Sequence, residues 1–328
     1  MDRFRGTIIL IFVSAAVVCI PTLLIRAGII DAYLAQIITI GGVNAIMAVS
    51  VNVITGITGQ LSIGQAGFMA IGAYAAIFLN LDAGLPLPAA AVISALITAF
   101  AGFLIGFPTL KLSGDYLAIV TLGFGEIIRV ILVNLKQISG GANGRQLTTL
   151  FAIYPEFSFL VVSASLAVIL ILLQNFLRST YGRAILAVRE DEIAANSSGI
   201  SVFRYKMLGF VTASFIAGIG GSLYAMVVGF VKPDIASFNK SIDFLIFVVL
   251  GGMGSMTGSV ISAYVLTSLQ EFLRFLEDFR LLIYPLLLIS VMLFWPRGLM
   301  GMKELSIVGV FNKIAGVIRR RKAPKGGA

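Results

Sequence analysis

The sequence predicts an all-α protein, a polytopic transmembrane helical bundle with about ten membrane segments that include broken or re-entrant helices. Three observations support this fold class. Hydrophobic residues make up 59% of the 328 residues, charged residues only 12%, and the mean hydropathy is +1.02. An ordinary soluble domain is about half apolar and about a quarter charged. The apolar residues also gather into runs of about twenty, the length that crosses a bilayer as a helix.

The apolar runs extend along the whole chain and leave no stretch with the composition of a soluble domain or linker. They lie near residues 7 to 25, 31 to 54, 63 to 81, 87 to 107, 116 to 135, 157 to 177, 207 to 230, 242 to 270 and 280 to 296. We therefore expect a single transmembrane domain over residues 1–328. The first run follows a charged start, as in a signal peptide, but its length and the lack of a convincing cleavage site favour an uncleaved first span.

Basic residues predict which segments face the cytoplasm. The net charge is +9, and the tail 297–328 alone carries eight basic residues against one acid. The longest polar loop, 178–206, contains five more basic residues. Basic segments beside a span mark the cytoplasmic side and attract anionic lipid, so we expect this loop and both termini to be cytoplasmic. Nucleic-acid binding is disfavoured, since only Phe311 interleaves the charges of the tail.

This orientation requires a break in the run 242 to 270. Three crossings after the loop would place the basic tail outside the cell. The segment "LGGMGSMTG", Leu250 to Gly258, puts four glycines in the middle of that run. Such a cluster favours a broken helix or re-entrant pair around a cavity, so Gly251, Gly252 and Gly254 become candidates for lining a solute path. The stretch Gln270 to Arg280 is then expected outside the cell.

The segment between the second and third runs is unusually polar for its position. Between Thr55 and Tyr74 the sequence reads "TGITGQLSIGQAGFMAIGAY". Amides and hydroxyls there could hydrogen-bond a solute, or they could join helices that pack closely at glycines. Both interpretations stay open for the candidate path residues Gln60, Ser62, Gly64, Gln65 and Gly67.

Glu126 is a carboxylate inside an apolar run. It lies eleven residues after Asp115, which is roughly 16 Å along a helix and near the middle of a bilayer. An intramembrane carboxylate is costly and indicates a functional site. The alternative is a structural ion pair with Arg129, three residues further on the same helix face.

The polar loop contains a pattern typical of a short docking helix. We expect three acids in its first turn, where they favour the helix dipole, two alanines facing outward, and a glycine as its cap. Small outward residues suit insertion into a groove on another protein. The candidate docking residues are Glu190, Asp191, Glu192, Ala194, Ala195 and Gly199.

The composition disfavours metal, cofactor and hydrolytic sites. The chain has no histidine, which is the usual metal ligand and the usual general base near neutral pH. Its single cysteine, Cys19, cannot form a disulfide or a thiolate cluster within one chain, and we expect it to be a small core residue. No phosphate-binding Gly-x-x-x-x-Gly-Lys-Ser/Thr loop occurs, so any nucleotide must be bound by a partner.

Six motifs, in order along nearly the whole chain, resemble the branched-chain amino-acid ABC permease family of the LivM type. They are "GQLSIGQAGFMAIGAY", "GDYLAIVTLGFGEIIR", "GGANG", "YGRAILAVREDEIAANSSGI", "VVLGGMGSMTG" and "FWPRGLMG". The resemblance implies a non-enzymatic subunit of an ATP-driven importer in a bacterial or archaeal cell membrane. The resemblance implies that this subunit carries leucine, isoleucine, valine or a related small solute such as urea or a short amide.

The resemblance also implies partners. These are a second homologous permease, two cytoplasmic ATPases that bind ATP and Mg, and an external solute-binding protein. Importer permeases carry a Glu-Ala-Ala-x-x-x-Gly loop that couples to the ATPase; Ala194, Ala195 and Gly199 match it, but Ile193 stands at the glutamate position and the acid is displaced to Glu192.

Two other functional classes remain as alternatives. A polytopic membrane enzyme could use Asp115, Glu126 and Asp243 as acid and base groups, although no two intramembrane carboxylates are close in sequence. A secondary transporter or channel would work without an ATPase. Copurification of an ATPase with ATP-dependent uptake, product formation, or ion-driven transport by the lone chain would distinguish the three.

Overall fold

Long apolar helices dominate the chain. The computed structural model describes residues 19, 21–112, 114–147, 155–294 and 298–301. Its helices are α1 Ala32–Val51, α2 Gln65–Leu81, α3 Leu87–Thr109, α4 Asp115–Asn134, α5 Lys136–Ser139, α6 Pro155–Arg178, α7 Thr180–Glu190, α8 Glu192–Ser197, α9 Val202–Val228, α10 Phe238–Gly251, α11 Met256–Phe272 and α12 Arg280–Phe294. Two short strands, β1 Arg145–Gln146 and β2 Phe230–Val231, pair antiparallel. The all-α prediction is confirmed for these residues.

Five helices in the described part of the chain are long and apolar enough to cross a membrane. They are α1 with the π-helical turn that follows it (Ala32–Ile57), α3, α4, α6 and α9. The helices α2, α10, α11 and α12 are shorter. Most of the expected first span, 7 to 25, lies outside the described residues, as does the tail beyond residue 301.

Close contacts at small residues hold the bundle around α9. A Cβ placed on Gly221 would lie 1.9 Å from the backbone oxygen of Met69 in α2, and one on Gly72 would lie 2.4 Å from that of Gly218. The backbones of α2 and α9 therefore pack directly against each other. Lipid tails are as apolar as the helices, so close packing and interhelical hydrogen bonds hold membrane helices together.

The bundle has two ends, which we call the Arg189 end and the Glu271 end. Helix α1 begins beside Glu271, which accepts a hydrogen bond from the Tyr33 hydroxyl. The π-helical turn after α1 ends beside Arg189, which donates to the Gly56 carbonyl. Residues 33 and 56 are separated by about 35 Å at a rise of 1.5 Å per residue. Glu271 and Arg189 therefore mark opposite ends of the bundle.

Loops between the helices are also fastened to each other. Arg145, in β1, forms an ion pair of 2.7 Å with Asp82, which follows α2. The hydrogen bond from Arg145 holds the pKa of the Asp82 carboxyl below its ordinary value. Next to it, the Tyr74 hydroxyl donates to the backbone oxygen of Val231 in β2. These contacts bring the loop after α2 together with both strands.

Helices α10 and α11 form an antiparallel hairpin. A Cβ on Gly251 would lie 2.5 Å from the backbone of Gly258, and the Ser262 hydroxyl donates to the Phe247 carbonyl. Phe247 lies four residues before Gly251 in α10, and Ser262 lies four residues after Gly258 in α11. The two helices therefore run in opposite directions. The interruption predicted from the glycine cluster is confirmed, and the stretch after Gln270 lies at the Glu271 end, where Arg274 contacts Glu271.

The expectation for Cys19 is wrong. Its side chain is exposed rather than part of a core. An apolar residue of a membrane helix gains little by leaving lipid, so hydrophobicity alone does not decide whether it packs inward.

Candidate functional site

A buried polar segment connects α1 to α2. Gln60, Ser62 and Gln65 are only 3%, 1% and 1% exposed. Both amide atoms of Gln60, the Ser62 hydroxyl and Gln65 Nε2 have no hydrogen-bond partner among the described residues. The same holds for Asn52 Nδ2 and the Thr55 hydroxyl in the π-helical turn. Each such atom costs about 1–3 kcal/mol when it stays unpaired, so this segment is a polar site with capacity for water or a polar solute.

The amide oxygen of Gln65 also has unused capacity to accept a hydrogen bond. Ser50 Oγ lies 3.2 Å from Gln65 Oε1 and 2.7 Å from the Ala213 carbonyl. A hydroxyl has one proton to donate, and the shorter distance favours the carbonyl. The Gln65 amide thus keeps both donor and acceptor capacity inside the bundle.

The glycines of the same segment have a different role. A Cβ on Gly64 would lie 2.6 Å from the Thr121 carbonyl, and one on Gly67 would lie 2.9 Å from Gly125 Cα. Thr121 also accepts a hydrogen bond from the Ile63 amide at 3.1 Å. Close packing against α4 accounts for Gly64 and Gly67, whereas it does not account for the unpaired amides.

Glu126 makes two contacts. Its Oε2 lies 2.7 Å from Arg129 Nε, so the ion pair considered in the sequence is present. Its Oε1 accepts a hydrogen bond of 3.2 Å from the amide of Phe238, the first residue of α10. A carboxylate at a helix N-terminus also favours the helix dipole. The pair is about a third exposed, with side chains at 34% and 35%.

The glycines of the hairpin turn hold that turn against other backbone. Gly254 (φ +90°) donates its amide to Asn52 Oδ1 at 2.8 Å. A Cβ on Gly252 (φ +108°) would lie 2.3 Å from the Gly301 carbonyl. These conformations and distances exclude ordinary side chains. Gly251 packs against Gly258 in the hairpin itself.

The expected docking helix is present, but two acids are outside its first turn. Glu190 ends α7, and Asp191 has an extended backbone (φ −156°, ψ 110°) and caps α8, accepting bonds from the amides of Ile193 and Ala194. Only Glu192 lies in the first turn, and its carboxylate is 2.5 Å from Lys206 Nζ in α9. The expectation was wrong for Glu190 and Asp191, because capping competes with helix extension at an aspartate.

The two alanines face different directions. Ala195 is 5% exposed and packs inward, so its expected outward position is wrong, whereas Ala194 is exposed as expected. Ile193, at the position of the missing glutamate, is 81% exposed and was not recognised from the sequence. An exposed large apolar side chain on a short helix suits a protein partner.

Gly199 caps α8 as predicted. Its φ is +82°, its amide donates to the Asn196 carbonyl, and the Ile200 amide donates to the Ala195 carbonyl at 3.0 Å. This pair of bonds is the Schellman motif, which needs a left-handed residue at the glycine position.

An apolar cavity lies elsewhere in the described bundle. The cavity has a volume of about 620 Å³ between α3, α6 and α9, and apart from Ser165 and Thr212 its lining is apolar. Thr212 donates its hydroxyl to the Leu208 carbonyl, so it does not offer a free donor. None of the candidate path residues lines this cavity, and its chemistry does not suit a charged solute. Within the described residues there is no group of three potential metal ligands.

Comparisons with known proteins agree with the motifs. Residues 33–294 match the family model described as branched-chain amino acid transport system / permease component. The chain is 39% identical over 298 residues to the high-affinity branched-chain amino acid transport system permease protein LivM of Salmonella typhimurium and to that of Escherichia coli, covering 81% of this chain and 70% of those proteins. It is 26% identical over 303 residues to LivH of Escherichia coli, covering 83% and 95%. No solved structure matches the chain.

Proposed function

Because the chain belongs to the branched-chain amino acid transport permease family, we propose that it is the membrane-spanning subunit of an ATP-driven importer. Its solute is leucine, isoleucine, valine or a related small polar molecule such as urea or a short amide. The observation that carries the proposal is the buried polar segment, where amides and hydroxyls without partners lie inside an apolar bundle.

The chemistry of that segment suits an amino acid. A zwitterion needs both hydrogen-bond donors and acceptors, and a glutamine amide supplies both. Gln60 and Gln65 are the two amides, and Ser62 adds a hydroxyl. Each buried polar atom without a partner is costly, so a polar group that pairs with it is favourable.

The partly exposed pair of Glu126 and Arg129 supports a solute path along the exposed face of α4. Of the five long apolar helices in the described residues, α4 is the least enclosed, with 28% of its apolar window buried. A charged pair that is a third exposed is costly against lipid. We propose that this face meets the second permease across a watery path, whereas Gly251, Gly252 and Gly254 lie in the hairpin turn at the Arg189 end, packed against other backbone. The similarity to both LivM and LivH supports a pair of related permeases.

The topology has ten segments, with both termini in the cytoplasm. Five long helices and the four shorter helices α2, α10, α11 and α12 lie in the described part, and the run 7 to 25 completes the set. The Arg189 end is cytoplasmic, because the basic loop 178–206 lies there and the basic tail follows Gly301. The external solute-binding protein then meets the Glu271 end.

The loop of α7 and α8 docks on an ATPase. Ile193 and Ala194 form its exposed apolar contact, Asp191 and Gly199 fix the two ends of α8, and Glu192 fastens it to α9. The ATPases bind ATP and Mg, and this chain transmits their movement without being an enzyme itself.

The test is ATP-dependent uptake by a reconstituted complex. Both permeases, the ATPases and the solute-binding protein are placed in proteoliposomes with radiolabelled leucine, and urea and acetamide serve as competing solutes. We expect leucine uptake that requires ATP and every component. Ion-driven uptake by this chain alone would overturn the proposal.

A further inference from the structure

Arg189 joins the docking loop to the membrane-embedded part of the chain. It lies in the last turn of α7, and its side chain is 18% exposed. Its Nη1 donates a hydrogen bond of 2.8 Å to the Gly56 carbonyl, 133 residues away in sequence. Its Nη2 lies 2.8 Å from Glu190 Oε1. The guanidinium thus connects the end of α7 to the end of the π-helical turn.

Three glycines surround this side chain. A Cβ on Gly59 (φ +70°) would lie 2.8 Å from Arg189 Cγ, and one on Gly254 (φ +90°) would lie 3.4 Å from Arg189 Nη1. Gly56 supplies the carbonyl that accepts its hydrogen bond. We call this arrangement the glycine slot. Close backbone on several sides leaves the guanidinium little freedom to move independently of its surroundings.

The glycine slot continues into the hairpin turn. Asn52 Oδ1 accepts a hydrogen bond of 2.8 Å from the Gly254 amide, and a Cβ on Gly56 would lie 2.3 Å from that same nitrogen. The π-helical turn therefore touches Arg189 on one side and the α10–α11 turn on the other. Single π-helical turns inside α-helices are frequent at functional sites. The chain that follows this turn is the buried polar segment with Gln60.

We propose that Arg189 is a positioning residue through which movement of the docking loop reaches the α10–α11 turn and the buried polar segment. This inference rests on the proposed function. Arginine suits the role because its planar guanidinium offers several donors in fixed geometry, so one side chain can hold Gly56 and Glu190 together. A lysine at this position keeps the charge but concentrates its donors on one nitrogen at the end of a flexible stem.

The test separates coupling from folding. Arg189→Met removes the hydrogen bonds and keeps an unbranched stem, and Arg189→Lys keeps the charge. Arg183→Met is the matched control on α7. Arg183 donates hydrogen bonds to the Arg178 carbonyl and the Thr180 hydroxyl, which lie five and three residues before it in the sequence. Each variant is assembled as the full complex in proteoliposomes, and leucine uptake and ATP hydrolysis are measured on the same sample.

We expect Arg189→Met to hydrolyse ATP within about twofold of the wild-type rate while uptake falls about tenfold, as for loss of a charge-assisted hydrogen bond. Arg189→Lys should lie between this variant and wild type, and Arg183→Met should match wild type. Unchanged uptake per ATP in Arg189→Met would overturn the inference. Failure of that variant to assemble, together with normal coupling by Arg189→Lys, would also overturn it by assigning Arg189 to loop folding. Wild-type complex without ATP-dependent uptake would instead refute the proposed function.

Discussion

Replacing Gln60 by methionine should stabilise the protein and stop transport. Gln60 is 3% exposed and neither of its amide atoms has a partner among the described residues. A buried unpaired polar group costs about 1–3 kcal/mol. Methionine has similar length and no such group, and it adapts to irregular cavities. We therefore expect Gln60→Met to raise the free energy of unfolding by about 1 kcal/mol or more.

Asn44, in α1, provides the matched control. Its amide is also buried, at 4% exposure, but its Nδ2 donates to the Thr267 hydroxyl at 2.9 Å. Asn44→Leu removes a satisfied hydrogen bond and should lower the free energy of unfolding by about 1 kcal/mol. The two substitutions are both polar to apolar, so their opposite signs would come from hydrogen-bond satisfaction.

The assay combines thermal unfolding of the purified complex with ATP-driven uptake. Gln60→Met should raise the melting temperature by about 2 °C or more while uptake falls about tenfold or more, since a lost polar contact in the path is not replaced. A lower melting temperature would mean that the Gln60 amide is structural and has partners in the assembled complex. Normal uptake would place Gln60 outside the path. Either result refutes the argument from unpaired buried amides.

Three further predictions concern other parts of the chain. Glu126→Gln keeps an acceptor for the α10 amide but removes the charge, so it should accumulate in membranes normally and transport several-fold less; normal transport, with loss of Glu126→Ala from membranes, would make the residue structural. Ile193→Lys should leave the permease folded and weaken ATPase copurification, because it places a charge in the exposed apolar contact, and unchanged copurification would place docking elsewhere. Ser268 is exposed near the Glu271 end. The cysteine introduced by Ser268→Cys should therefore react with an impermeant thiol reagent added outside, and labelling only from the cytoplasm would contradict the ten-segment topology.

Several features could be predicted from the sequence because contiguous residues encode them. Long apolar runs predict helices, since a lipid-exposed backbone must satisfy its hydrogen bonds within its own segment. The glycine cluster around Gly252 predicts the break between α10 and α11, because its glycines accept positive φ and close backbone contact. Gly199 was placed correctly as a cap for the same local reason. The polar character of the segment around Gln60 was also visible in sequence, although its lack of partners was not.

Other features were decided by packing of the whole bundle. Local pattern gave Ala194 and Ala195 the same expected direction, but the rotation of a six-residue helix is fixed by what it packs against, and Ala195 turns inward. The bond from Arg189 to Gly56 and the contact of Glu126 with Phe238 join residues 133 and 112 positions apart. The two partners of such a contact lie in different segments. The residue pattern of either segment alone therefore does not predict the contact. The sequence by itself therefore determined which segments are helical and where they break, whereas the tertiary structure decided which side chains meet, because those meetings depend on how distant helices pack together.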